Sequence, residues 1–188
     1  MVQNRNNIDL EVILVLIKEK THLRAIARLL NEPHVNVFRT VKYLRKEKVI
    51  DYKKEGKNNT YFIKDSLEAR NYVFMAEQYK FIKVLKQYPE LHIILSSVLK
   101  QTKDEMIILF GSYAKFIAKE NSDIDIYIDT EDLEVRKKLL PLHSRLSIKL
   151  GAFDMSSLLI KEIVKNHVIV RGIEEFYEKS NFFETIET

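Results

Sequence analysis

Between Met106 and Asp129 the chain changes its hydrophobic rhythm repeatedly, and few folds accept that order. MIILF is an unbroken apolar run, the pattern of a buried strand. Gly111-Ser112 interrupts it, and YAKFIAK follows with the look of a helix. NSDIDIYID then alternates, with Ile124, Ile126 and Ile128 on one side and Asp123, Asp125 and Tyr127 on the other. A strand that turns through glycine into a helix and returns as a strand implies an α/β layer built on a sheet.

The polar residues of this stretch carry chemistry. Gly111 permits a tight exit from the strand and a close backbone approach. Ser112 stands where it caps the following helix, so a hydroxyl and backbone N–H groups face any phosphate oxygens that arrive there. Asp123 and Asp125 share one strand face, about 7 Å apart along the chain. Two such carboxylates repel unless a cation lies between them, and hard divalent cations take oxygen ligands of this kind. Taken alone, Asp-x-Asp also suits a solvated strand end.

The first third of the chain reads differently. Apolar residues at Leu10, Ile13, Leu14 and Ile17 have helical spacing. Thr21 suits a cap for a second short helix with Leu23, Ile26, Ala27 and Leu30, which Asn31 ends. Pro33 opens a third, with Val37, Val41 and Leu44. VIDYKK and TYFIK then read as strands joined by a turn at Gly56. Three helices followed by a hairpin is the order of a winged helix-turn-helix. The third helix carries Asn36, Arg39 and Lys42 around its apolar stripe, and the hairpin carries Lys53, Lys54 and Lys57. These are candidate contacts to base edges and phosphates of duplex DNA.

Charge follows the same division. Residues 1–64 hold 14 Lys and Arg against 7 Asp and Glu, whereas residues 65–188 hold 17 against 20. A basic front and a mildly acidic back predict two modules with different partners. Residues 66–88 read as a long amphipathic helix that Pro89 ends, with a further helix in LHIILSSVLKQ. No cysteine occurs, which excludes disulfides, cysteine nucleophiles and thiolate metal sites. No apolar run approaches a membrane span, and the expected compartment is the cytoplasm.

Gly111-Ser112 followed by Ser122-Asp123-Ile124-Asp125 resembles the nucleotidyltransferase superfamily of DNA polymerase β. It is most similar to the minimal prokaryotic branch that includes antitoxin-like partners of HEPN toxins. The resemblance covers about residues 90–175. It implies that Gly111 and Ser112 hold the triphosphate of an NTP, and that Asp123 and Asp125 bind Mg²⁺ or Mn²⁺ ions. It further implies a third carboxylate from a later strand, for which SIKLGAFDMSS supplies Asp154. In this resemblance Phe116 stands where a glycine is usual. The front stretch, from IARLL to NNTYFI, resembles the winged helices of small prokaryotic repressors.

The combined expectation is an α/β (α+β) protein of two domains. A winged helix-turn-helix spans 1–65, a helical connector 66–104 and a mixed-sheet nucleotidyltransferase domain 105–188. The expected reaction is transfer of an NMP from an NTP to an acceptor by a two-metal mechanism catalysed by Asp123, Asp125 and Asp154. Duplex DNA and a second copy of the chain are the expected partners. The alternative is a DNA-binding regulator or antitoxin whose nucleotidyltransferase fold senses a nucleotide or contacts a partner with little turnover.

Overall fold

The computed structural model describes residues 7–56 and 58–185. It begins with α1 (Ile8–Lys18), β1 (Thr21–His22), α2 (Leu23–Leu30) and α3 (His34–Lys46). β2 (Ile50–Glu55) and β3 (Asn58–Ile63) form an antiparallel hairpin, and β1 adds to its β3 side, giving the order β1-β3-β2. The three helices and the hairpin stand where the apolar spacing puts them. Thr21, expected to cap α2, instead pairs with Tyr61 in β1 and is buried. Asn31 ends α2 in the left-handed region, where a short polar residue is tolerated.

α4 (Leu67–Gln87) and α5 (Leu91–Gln101) follow, then β4 (Ile107–Phe110), the single-turn α6 (Gly111–Ala114) and β5 (Ile124–Asp129). The chain continues through α7 (Leu133–Leu139), β6 (Leu146–Gly151), α8 (Leu158–Lys165), β7 (Val168–Arg171), α9 (Ile173–Lys179) and α10 (Phe182–Thr185). β6-β5-β4-β7 make a mixed sheet in which β5 and β6 are parallel and the other pairs antiparallel. One sheet face, with Ile107, Leu109, Ile124, Ile126, Ile128 and Ile148, packs with Leu95, Val98, Val135 and Leu139 in one core. That packing holds the Ile side of β5 inward, so the alternate residues of the strand face the other way.

Two compact units result. One is Gln78–Ser180; the other takes the described residues up to Glu77 and those from Asn181 on. The division falls inside α4. Among the described residues no helix is long and apolar enough to cross a membrane.

Candidate nucleotide and metal site

β4 and β5 are antiparallel, and Phe110 at the end of one pairs with Asp125 near the start of the other. The turn after β4 therefore lies beside Asp125. Gly111 has φ +69°. A Cβ there would run into Asp125 Oδ2 and stand 3.2 Å from its Cγ. Glycine is thus favoured twice, by the backbone conformation and by the carboxylate seated against it.

Asp123 immediately precedes β5 and is exposed, and Asp125 is half-buried. Burial pushes the Asp125 carboxyl above the usual range, and the negative charge of Asp123 pushes the same way. A hydrogen bond from Ser147 and the charge of Lys149 oppose them. Burial is the larger of the two raising causes.

The segment entering β5 is held from the opposite edge. Arg145 Nη1 donates to the backbone oxygens of Glu120 and Ser122, the latter at 3.4 Å, and to the Tyr113 hydroxyl at 3.3 Å. Ile124 N–H donates to the Arg145 carbonyl at 2.8 Å. Ser122 closes the turn by accepting from Lys119 N–H at 2.8 Å. Arg145 and Tyr113 thus position Asp123, a role that no sequence pattern announces. The signal available was only an arginine just ahead of the alternating stretch LSIKLG.

Phe116 stands at φ +60°, part-buried against the core. The backbone at this position takes the left-handed form that favours glycine, and phenylalanine holds it at a cost in strain. The helix expected to run through YAKFIAK stops after one turn.

Asp154 departs from expectation. β6 runs parallel to β5, with Asp125 opposite Ser147 and Asp129 opposite Gly151. Residues after β6 therefore lie at the far end of β5, about 13 Å along the strand from Asp125. There Phe153 N–H donates to Asp129 Oδ1 at 3.0 Å. Only an antiparallel β6 would have brought Asp154 to Asp123. Its carboxylate is exposed, and the Ser156 hydroxyl and N–H hold it below the usual range. Among the described residues no group of three His, Cys, Asp or Glu side chains is gathered to hold a metal ion.

Asp129 pairs with Lys179. Arg171 donates to Thr102 Oγ1 at 3.0 Å and Leu99 O at 2.9 Å and so ties down α5. His167 is buried, with its ring 4.4 Å from that of Phe176.

A family model described as "Polymerase beta, Nucleotidyltransferase" matches residues 80–181, more than half of the chain. The chain belongs to this nucleotidyltransferase family. Two putative protein adenylyltransferases of Methanocaldococcus jannaschii resemble this nucleotidyltransferase. One is 36% identical over 95 residues, covering 50% of this chain and 95% of its own. The other is 30% identical over 93 residues, covering 48% and 89%. A toxin–antitoxin structure with AMP-PNP aligns at 23% identity and TM-score 0.34, over 56% of this chain and 80% of that one.

In the front unit, Asn36, Arg39 and Lys42 are exposed on α3, and Lys53 and Lys54 on β2. Lys57 lies outside the described residues. The α3 face also presents Val35 and Phe38, 56% and 50% exposed, so it is not purely basic.

Proposed function

We propose that this family member binds a cation–NTP complex at Asp123 and Asp125, with the triphosphate against Gly111-Ser112, and transfers an NMP to an acceptor hydroxyl. The observation that carries the reading is the seat of the Asp125 carboxylate against Gly111, where any side chain would push that carboxylate aside. The relatives' names favour AMP as the group transferred and a protein as acceptor. An acceptor oxygen attacks the α-phosphorus, the bond from that phosphorus to the α–β bridging oxygen breaks, and pyrophosphate leaves. The acceptor's proton passes to solvent. Asp123 and Asp125 would hold Mg²⁺ or Mn²⁺, which when bound neutralises phosphate charge and acts as a Lewis acid. Arg145 fixes the segment that carries Asp123, so the pair is preorganised before substrate arrives.

A second reading is favoured by β6. Beside Asp125 that strand offers Ser147 and Lys149 where a further carboxylate would widen the cation site. Nucleotide binding with little turnover, in a regulator or antitoxin, suits that composition. Incubation with each α-labelled NTP, Mg²⁺ and cell lysate separates the two. A labelled protein that depends on Asp123 supports transfer; ATP binding without any labelled product supports the second reading.

The front unit is proposed as a winged helix that lays α3 in the major groove of duplex DNA while the β2–β3 hairpin follows the backbone. Its support is the clustering of Arg39, Lys42, Lys53 and Lys54 on exposed faces of those elements. Gel shifts of the full chain at rising salt test it, and binding that ignores salt refutes it.

A further inference from the structure

The sheet face that carries Asp125 has a cation of its own. β5 and β6 are in parallel register, with Asp125 opposite Ser147 and Tyr127 opposite Lys149. Neighbouring strands are about 4.8 Å apart and residues two apart on one face about 7 Å apart. Lys149 is thus one step along and one strand across from Asp125, on the same face. Ile148 and Leu146, its alternates, point into the core, which leaves Lys149 no other direction. It is exposed. The next level of the sheet is closed: Tyr127 is buried and donates to Gly151 O at 2.7 Å. The open part of the face is therefore bounded by Gly111-Ser112 on the β4 side, by the two aspartates, and by Lys149 on the β6 side.

The other nearby basic groups are engaged. Lys115, just after α6, pairs with Glu162 at 2.8 Å. Arg145 is spent on the backbone of the 120–122 segment. Among these three, Lys149 is the one on the sheet face of Asp125, one strand across. A nucleoside triphosphate brings up to four negative charges toward two carboxylates, and one divalent cation cannot balance all of them.

We propose that Lys149 is a direct ligand of the nucleotide's polyphosphate tail, a built-in cation on the β6 side of the site. This rests on the nucleotide-binding reading above and adds to it that part of the affinity survives without metal. Lysine suits the task as a mobile point charge with three donors on a flexible stem, able to follow a tail as it reacts. The ammonium replaces, in fixed form, charge that a second metal ion would otherwise bring from solution.

Calorimetric titration of the full chain with ATP, with Mg²⁺ and separately in EDTA, tests the inference. Inorganic tripolyphosphate in EDTA is the third titrant, since it carries the tail without base or sugar. Wild type is expected to bind all three. Lys149→Met should weaken the two metal-free titrations about tenfold, ~1.4 kcal/mol, and the Mg²⁺ titration less. Lys149→Arg, which keeps the charge, should stay within about threefold of wild type. Circular dichroism controls for folding, and Lys149 is exposed enough for both variants to fold. Equal affinity of wild type and Lys149→Met in EDTA overturns the inference. Wild type that binds ATP with Mg²⁺ and not in EDTA also overturns it, while leaving the nucleotide reading intact. Wild type that binds ATP in neither condition overturns both.

Discussion

Gly111→Ala separates the stability of the site from its chemistry. The φ of +69° costs an alanine about 1–2 kcal/mol relative to glycine. The new methyl also overlaps the end of the Asp125 side chain, but that end can rotate away, so the overlap displaces the carboxylate rather than unfolding the sheet. For a chain of this length 1 kcal/mol is worth roughly 2–4 °C, so the apparent Tm should fall by about 2–8 °C. Mn²⁺ affinity should fall much further, by at least about tenfold, because one of two anionic ligands has left. The control is Gly172→Ala. It too has positive φ, at +85°, and its Cβ would stand 3.0 Å from Met106 Cβ and 3.1 Å from Met106 Cα. It should cost comparable stability and leave Mn²⁺ affinity unchanged. Calorimetry of Mn²⁺ binding beside thermal melts of both variants gives the answer. If Gly111→Ala melts low yet binds Mn²⁺ within about twofold of wild type, the close seat of Asp125 has no bearing on the metal.

Asp125→Asn should lose Mn²⁺ binding by about tenfold or more yet melt higher than wild type in the absence of metal. The sign follows from the raised carboxyl: its ionised form is disfavoured in the folded chain, so stability is lost as pH rises through the folded value and neutralisation restores it. Parallel melts at pH 7 check this, and a lower Tm for the variant refutes it. Asp154→Asn should bind Mn²⁺ as wild type does, since Asp154 lies at the other end of β5; a tenfold weakening in calorimetry would return it to the site. Lys53→Ala with Lys54→Ala should flatten the logarithmic salt dependence of DNA binding by about two, near 0.9 for each phosphate no longer neutralised, as read from gel shifts across salt.

The local pattern was legible wherever period and punctuation agree. The α1 and α3 stripes, the break at Pro89 and the alternation of β5 each rest on side chains a few residues apart. The strand–turn–strand order around Gly111 and Asp125 was legible for the same reason, and the antiparallel pairing of β4 with β5 sets those two residues side by side. Asp154 was misplaced because strand direction is a long-range property, and SIKLG reads the same parallel or antiparallel. The Arg145 clamp was invisible for a related cause: its partners are backbone oxygens some 25 residues upstream, and backbone carries no sequence signature. β1 is two residues long, too short for any periodicity. Phe116 was legible as a departure, and its positive φ gives that departure a physical cost.

The front unit is not continuous in sequence. The described residues from Asn181 on belong to it, and Phe183 is buried there with its ring 4.7 Å from the Arg70 guanidinium. During synthesis the segment up to Glu77 leaves the ribosome first, but Phe183 follows only after 78–180. At roughly 5–20 residues per second the delay is on the order of 5–20 s, far longer than helices and hairpins need to form. Throughout that interval the apolar surface that Phe183 covers faces water, or whatever chaperone meets the nascent chain.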